Sequence, residues 1–107
     1  MKDPNDAIDF IFKKAPDYAA AKGRLAELEN FRHSLKAIKA SQAEGNSIAA
    51  KEIEAYASQE YQDLCVAIGK ATEDAEKLKW QLEAAKMRFQ AWQTESANNR
   101  QLEKFTV

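Results

Sequence analysis

The sequence predicts an all-α fold: a long antiparallel helical hairpin of coiled-coil type, with short N-terminal and connecting helices, packed into an oligomeric bundle. Three observations carry that reading. The 107 residues hold 31% charged side chains but only three Gly and two Pro, and both prolines fall within the first sixteen positions. Ala, Glu, Lys, Gln and Leu dominate the remainder, as in long helices, while Val, Thr and Gly are too scarce to furnish strands and turns. Finally, the C-terminal half repeats its apolar residues at alternating steps of four and three. A chain of this length is a single domain at most.

The first element is expected over residues 3–15. Asp3 suits the N-cap, Pro4 the first helical position and Asp6 the first turn. Ile8, Ile11, Phe12 and Ala15 fall on one face, with Phe10 off it. Pro16 disfavours helical geometry at Ala15, so this arm is expected to stop there. A second helix follows over 17–44, with Leu25, Leu28, Phe31, Leu35 and Ile38 as its apolar stripe. Gly23 within it either costs about 1 kcal/mol relative to Ala or marks a close backbone approach. Gly45 is expected as a left-handed C-terminal cap, and Asn46-Ser47 as the start of the next element. A short helix over 47–57 would present Ile48, Ile53 and Tyr56, with a bend at Ser58.

The last helix, expected over 59–101 with a tail at 102–107, is the strongest signal. Leu64, Ile68, Ala71, Ala75, Leu78, Leu82, Ala85, Phe89, Trp92 and Ser96 form an unbroken heptad seam. Ala71, Ala75 and Ala85 would admit a close partner helix, while Phe89 and Trp92 would need more room. The 17–44 helix, folded back antiparallel, is too short to cover the whole seam. Either the N-terminal arm or a second chain must cover the rest.

A second apolar row runs on the side opposite that seam. Trp80, Ala84, Met87 and Ala91 occupy heptad positions f, c, f and c, which normally face water. The arm could fold over this row through Ile8, Phe10, Ile11 and Phe12. A different protein could dock there, since Trp and Met favour interface cores. The favoured expectation is that two or more hairpins pack through it into a symmetric bundle. The expected contact residues are Trp80, Met87, Arg88, Phe89 and Trp92, which combine aromatic anchors with a planar cation.

Several function classes find no support. A net charge of −1 with interleaved signs argues against a dedicated nucleic-acid surface. One histidine, His33, and one cysteine, Cys65, lie on different helices and make a poor nucleophile pair. Cys65, beside seam residue Leu64, reads as a packed or half-exposed structural thiol, and His33 as a surface residue. No metal-ligand spacing, phosphate loop or catalytic elbow occurs, and Glu73, Asp74 and Glu76 point in different directions on a helix. Gly69, beside Ile68 of the seam, would ease helix packing or mark a mild irregularity. No catalytic, metal or cofactor site is expected. A lone cysteine, an N-terminus without an apolar signal core and the absence of a long apolar run place the protein in the cytoplasm, off the membrane.

Two stretches carry a resemblance: Glu27-Leu28-Glu29-Asn30-Phe31-Arg32-His33-Ser34-Leu35-Lys36-Ala37, and the run from Glu76 through Trp80, Leu82, Arg88 and Phe89 to Trp92. With the opening Asp3-Pro4-Asn5-Asp6-Ala7 and the segment Ala97-Asn98-Asn99-Arg100, they resemble small α-helical proteins of tailed bacteriophages and prophages, a group without an established activity. The genes of that group often lie near early-region recombination genes. The resemblance implies an accessory role in phage DNA metabolism or interference with a host factor, in the host cytoplasm, and supplies no catalytic residue.

The expected function is therefore a non-enzymatic accessory protein acting by self-association and protein binding. An alternative is weak single-strand nucleic-acid binding through Lys77, Lys79, Lys86, Arg88 and Arg100, with Trp80 as a stacking platform. A second alternative is a structural or assembly component.

Overall fold

The computed structural model describes residues 3–106, with side chains described through residue 105. Met1, Lys2 and Val107, to which the expected N-terminal segment and tail extend, lie outside the described residues. Helix α1 spans Pro4–Gln42, α2 Ile48–Ala57 and α3 Gln59–Thr106, and no strand occurs among the described residues. The chain forms two compact units. One joins the segment up to Ala19 with that from Glu76 onward; the other is Ala20–Ala75.

α1 starts as expected: the Asn5 N–H donates to Asp3 Oδ1 at 2.9 Å, and the Asp6 N–H to the Asp3 carbonyl at 3.1 Å. It does not stop at Pro16, which lies inside one continuous helix. The separate helices over 3–15 and 17–44 are one element, for a reason of register. Pro4, Ala7, Ile11, Lys14, Tyr18, Ala21, Leu25, Leu28, Arg32, Leu35 and Lys39 alternate by three and four, and none of them is exposed. Pro16 falls opposite this seam and is exposed, so the Phe12 carbonyl that it cannot serve opens toward water. The expected stripe was too apolar. Lys14, Arg32 and Lys39 hold seam positions half-buried, as residues with long aliphatic stems can. Phe12 (77% exposed), Phe31 and Ile38 lie off the seam instead, and Ala15 is exposed as well.

Gly45 does not make a left-handed cap, since no described glycine has positive φ. Its role is clearance: a Cβ built there would stand 2.8 Å from Ala50 Cβ. The α2 start is capped as expected, the Ala50 N–H donating to Ser47 Oγ at 3.1 Å. Ser58 serves two helices. Its Oγ donates to the Ala55 carbonyl at 2.7 Å and accepts from the Tyr61 N–H at 3.3 Å. The expected apolar face of α2 is the wrong one: Ile48, Ile53 and Tyr56 are exposed, and Ala55 is fully buried.

Within the Ala20–Ala75 unit, ion pairs tie the elements together. Lys36 Nζ lies 3.8 Å from Glu52 Oε1, and Lys39 Nζ lies 3.2 Å from Glu60 Oε1. The Lys36 ammonium also sits 4.8 Å from the centroid of Tyr56, which meets Tyr61 edge-on at 5.1 Å. Tyr56 foremost, then Glu52, holds Lys36 above the ordinary lysine value. Glu60 is held below the ordinary carboxylate value, first by its backbone N–H at the start of α3 and then by Lys39. Glu52 and Glu60 are exposed and the lysines only half-buried, so solvent screens the pairs, which fix register more than they add stability. The antiparallel pairing of Lys39 with Glu60 brings Leu35 level with Leu64, both 8% exposed.

Gly23 and Gly69 have nothing within 4 Å of a built Cβ, so neither marks a close approach or eases packing. Both lie mid-helix and exposed. Gly23→Ala and Gly69→Ala should each raise unfolding stability by about 1 kcal/mol, and together about twice that. Urea denaturation followed by circular dichroism checks this; no gain from either would place unseen constraint on those positions.

Candidate docking face on the third helix

α3 runs past the expected end at Gln101 to Thr106 because nothing after Gln101 breaks a helix. Every one of its ten expected seam residues is buried or half-buried. Ala71 and Ala75 are 5% and 6% exposed and Ala85 is 0%, as small residues at a close helix approach should be. In the unit formed with the start of α1, Ala7, Ile8, Phe10, Ile11, Lys14 and Tyr18 withdraw from solvent together with Leu78, Leu82, Ala85, Phe89 and Trp92. Within this unit the start of α1 therefore covers the seam from Leu78 onward.

It does not cover the opposite row. Trp80 is 60% exposed and Met87 55%, and Ala84 and Ala91 are exposed between and beyond them. An f residue lies nearly half a turn from the a/d seam, so whatever covers the seam within one chain leaves the row wet.

The expected contact set divides accordingly. Trp80 and Met87 share the outer face, and Arg88, at g, borders it. Phe89 and Trp92 occupy a and d. They are half-buried and stacked at 5.9 Å with an interplanar angle of 26°, which makes them part of the unit's packing and not of the outer face. The heptad assignment already contained this separation. Sequence proximity and aromatic character grouped residues that the helix turns apart.

The basic residues divide too. Lys77 continues the Trp80 row by one turn, whereas Lys79, Lys86 and Arg100 line the e edge seven and fourteen residues apart, all exposed. Lys79 Nζ sits 5.5 Å from the Trp80 ring centroid. The Arg100 Nε–H donates to the Ser96 carbonyl at 3.4 Å. No protein family, curated protein or solved structure matches this chain. The face must therefore be read from its own chemistry.

Elsewhere, His33 on α1 and Cys65 on α3 are both exposed, and no hydrogen bond among the described residues joins them. Exposure corrects the packed or half-exposed position expected for Cys65. Glu73, Asp74 and Glu76 are solvated, and Asp74 pairs with Lys70 at 3.0 Å. No group of His, Cys, Asp or Glu among the described residues could hold a metal ion. No described helix is long and apolar enough to cross a membrane. Sequence reading missed an open recess lined by Ala97, Arg100, Gln101 and Lys104, which follows from i,i+3 and i,i+4 spacing near the end of α3.

Proposed function

We propose that this chain is a non-enzymatic accessory protein that self-associates and binds a protein partner through the outer face of α3. One observation carries the reading: a Trp and a Met one heptad apart stay more than half exposed on a helix whose other apolar seam is covered. Trp anchors at the centre of a patch contribute more to binding than any other residue type. The resemblance to small phage proteins gives this activity a setting in phage DNA recombination or replication, or in interference with a host factor, within the host cytoplasm.

A specific contact supports a second reading, weak binding of single-stranded nucleic acid. The Lys79 ammonium lies over the Trp80 ring beside the Lys86 and Arg100 edge, a pairing of cation and stacking surface. The near-zero net charge weighs against it.

Replacing Trp80 and Met87 together by Glu separates these readings. Light scattering should show the variant at the monomer mass of 12.1 kDa, with helicity unchanged, while the natural chain is heavier. A mass unaffected by the double substitution rules the docking face out. Affinity for a single-stranded oligonucleotide that falls steeply with salt would move the assignment to the second reading.

A further inference from the structure

We propose that the Trp80–Met87 face binds a second copy of this chain, antiparallel, about a two-fold axis passing between Ala85 and Lys86. The proposal rests on the reading of this face as a docking surface, and adds its occupant, direction and register.

The row Trp80, Ala84, Met87, Ala91 alternates large and small, and its steps of four, three and four read the same in both directions. Turned end for end, the row becomes its own complement. Trp80 meets Ala91 of the second copy, and Met87 meets Ala84 of the second copy, so each bulky side chain enters the space above an alanine. Antiparallel helices stack f on c in such layers, as knobs into holes. A parallel pair would set Trp80 on Trp80, Met87 on Met87 and Lys77 on Lys77.

Charge selects the same arrangement. Lys77 extends the row by one turn, and reversal sets it level with Thr94 of the second copy and one residue from Glu95, once at each end. Both charged residues are exposed, and neither is engaged in an ion pair among the described residues. Along the flanks Glu83 faces Gln90 and Arg88 faces Gln81, while further out Asp74, paired with Lys70 at 3.0 Å, stands opposite Glu95 of the second copy. Val66 and Phe105, an f and a c residue exposed at 73% and 80%, lie equally far from that axis in sequence. A two-fold contact is isologous and closes on itself, so assembly through this face stops at the dimer.

The test is sedimentation equilibrium of the full chain with a charge exchange. Lys77→Glu alone should weaken the dimer about tenfold, since it places two further carboxylates beside Glu95 of the other copy, and Glu95→Lys added to it makes the double variant. The double variant should return to within about threefold of the natural chain. Direction is read separately, from a spin label on Thr94→Cys in a Cys65→Ser background. Antiparallel register places the two labels roughly 25 Å apart, parallel packing about 10 Å. A dimer broken by Trp80→Glu but not rescued by the double exchange, or with labels about 10 Å apart, overturns the register and leaves the docking face standing. Sedimentation unaffected by Trp80→Glu overturns both.

Discussion

Pro16→Ala should stabilise the protein by about 2–3 kcal/mol, the largest gain available from one substitution. A proline inside a helix removes one backbone hydrogen bond and crowds the carbonyl four residues back, at about 3 kcal/mol relative to alanine. Pro16 sits well inside α1, twelve residues after its first residue, Pro4. Its ring is exposed on the side opposite the seam, so no packing is lost with it. Alanine restores a donor to the Phe12 carbonyl and leaves Ile11, Lys14 and Tyr18 in place. Part of the gain is offset because proline also restricts the unfolded chain. The melting temperature should rise by roughly 10 °C, measured at fixed protein concentration because association shifts it too. An unchanged or lower melting temperature would mean that the helix breaks at Pro16, as the residue type suggests.

The opposite extreme lies on α3. Ala85→Glu should cost at least about 3 kcal/mol, since a carboxylate would replace a methyl group at a position with no exposure. Ala85 faces the start of α1 in a unit made of only two helical segments, so little neighbouring structure can rearrange to admit water. The partly buried Lys14, with its ammonium 3.8 Å from Asp17, belongs to the same unit. A glutamate could recover some of the loss by reaching toward it. Ala97→Glu, exposed on the same helix, provides the comparison and should change stability by no more than about 0.5 kcal/mol. Urea midpoints of the two variants decide the matter, and equal midpoints would show that Ala85 is not enclosed.

A large part of this molecule was written in local pattern. The α3 seam from Leu64 to Ser96 could be read residue by residue because heptad spacing is a property of one helix alone. The caps at Asp3, Ser47 and Ser58 were legible for the same reason: a side chain that bonds its own backbone two or three residues away needs no tertiary partner. The outer row of Trp80 and Met87 followed from the seam, since fixing one face of a helix fixes the opposite face.

Other features depended on which surfaces meet. Pro16 is tolerated because it falls opposite a seam that packing holds together on both sides of it, and local propensity carries no information about that support. Lys14, Arg32 and Lys39 hold seam positions because a covered seam can accept their methylene stems, whereas counting charges excluded them. Ile48, Ile53 and Tyr56 looked like the inner face of α2 by hydropathy. The Lys36 contacts with Glu52 and Tyr56 tie α2 to α1, and Ala55 is the residue it buries. Sequence alone determined the capped starts at Asp3, Ser47 and Ser58 and which stripe of α3 is covered, because those depend on interactions within a turn or two. The tertiary structure decided that the start of α1 lies on the seam from Leu78 onward and leaves the Trp80 row to solvent, because a helix cannot specify from its own sequence which neighbour reaches it first.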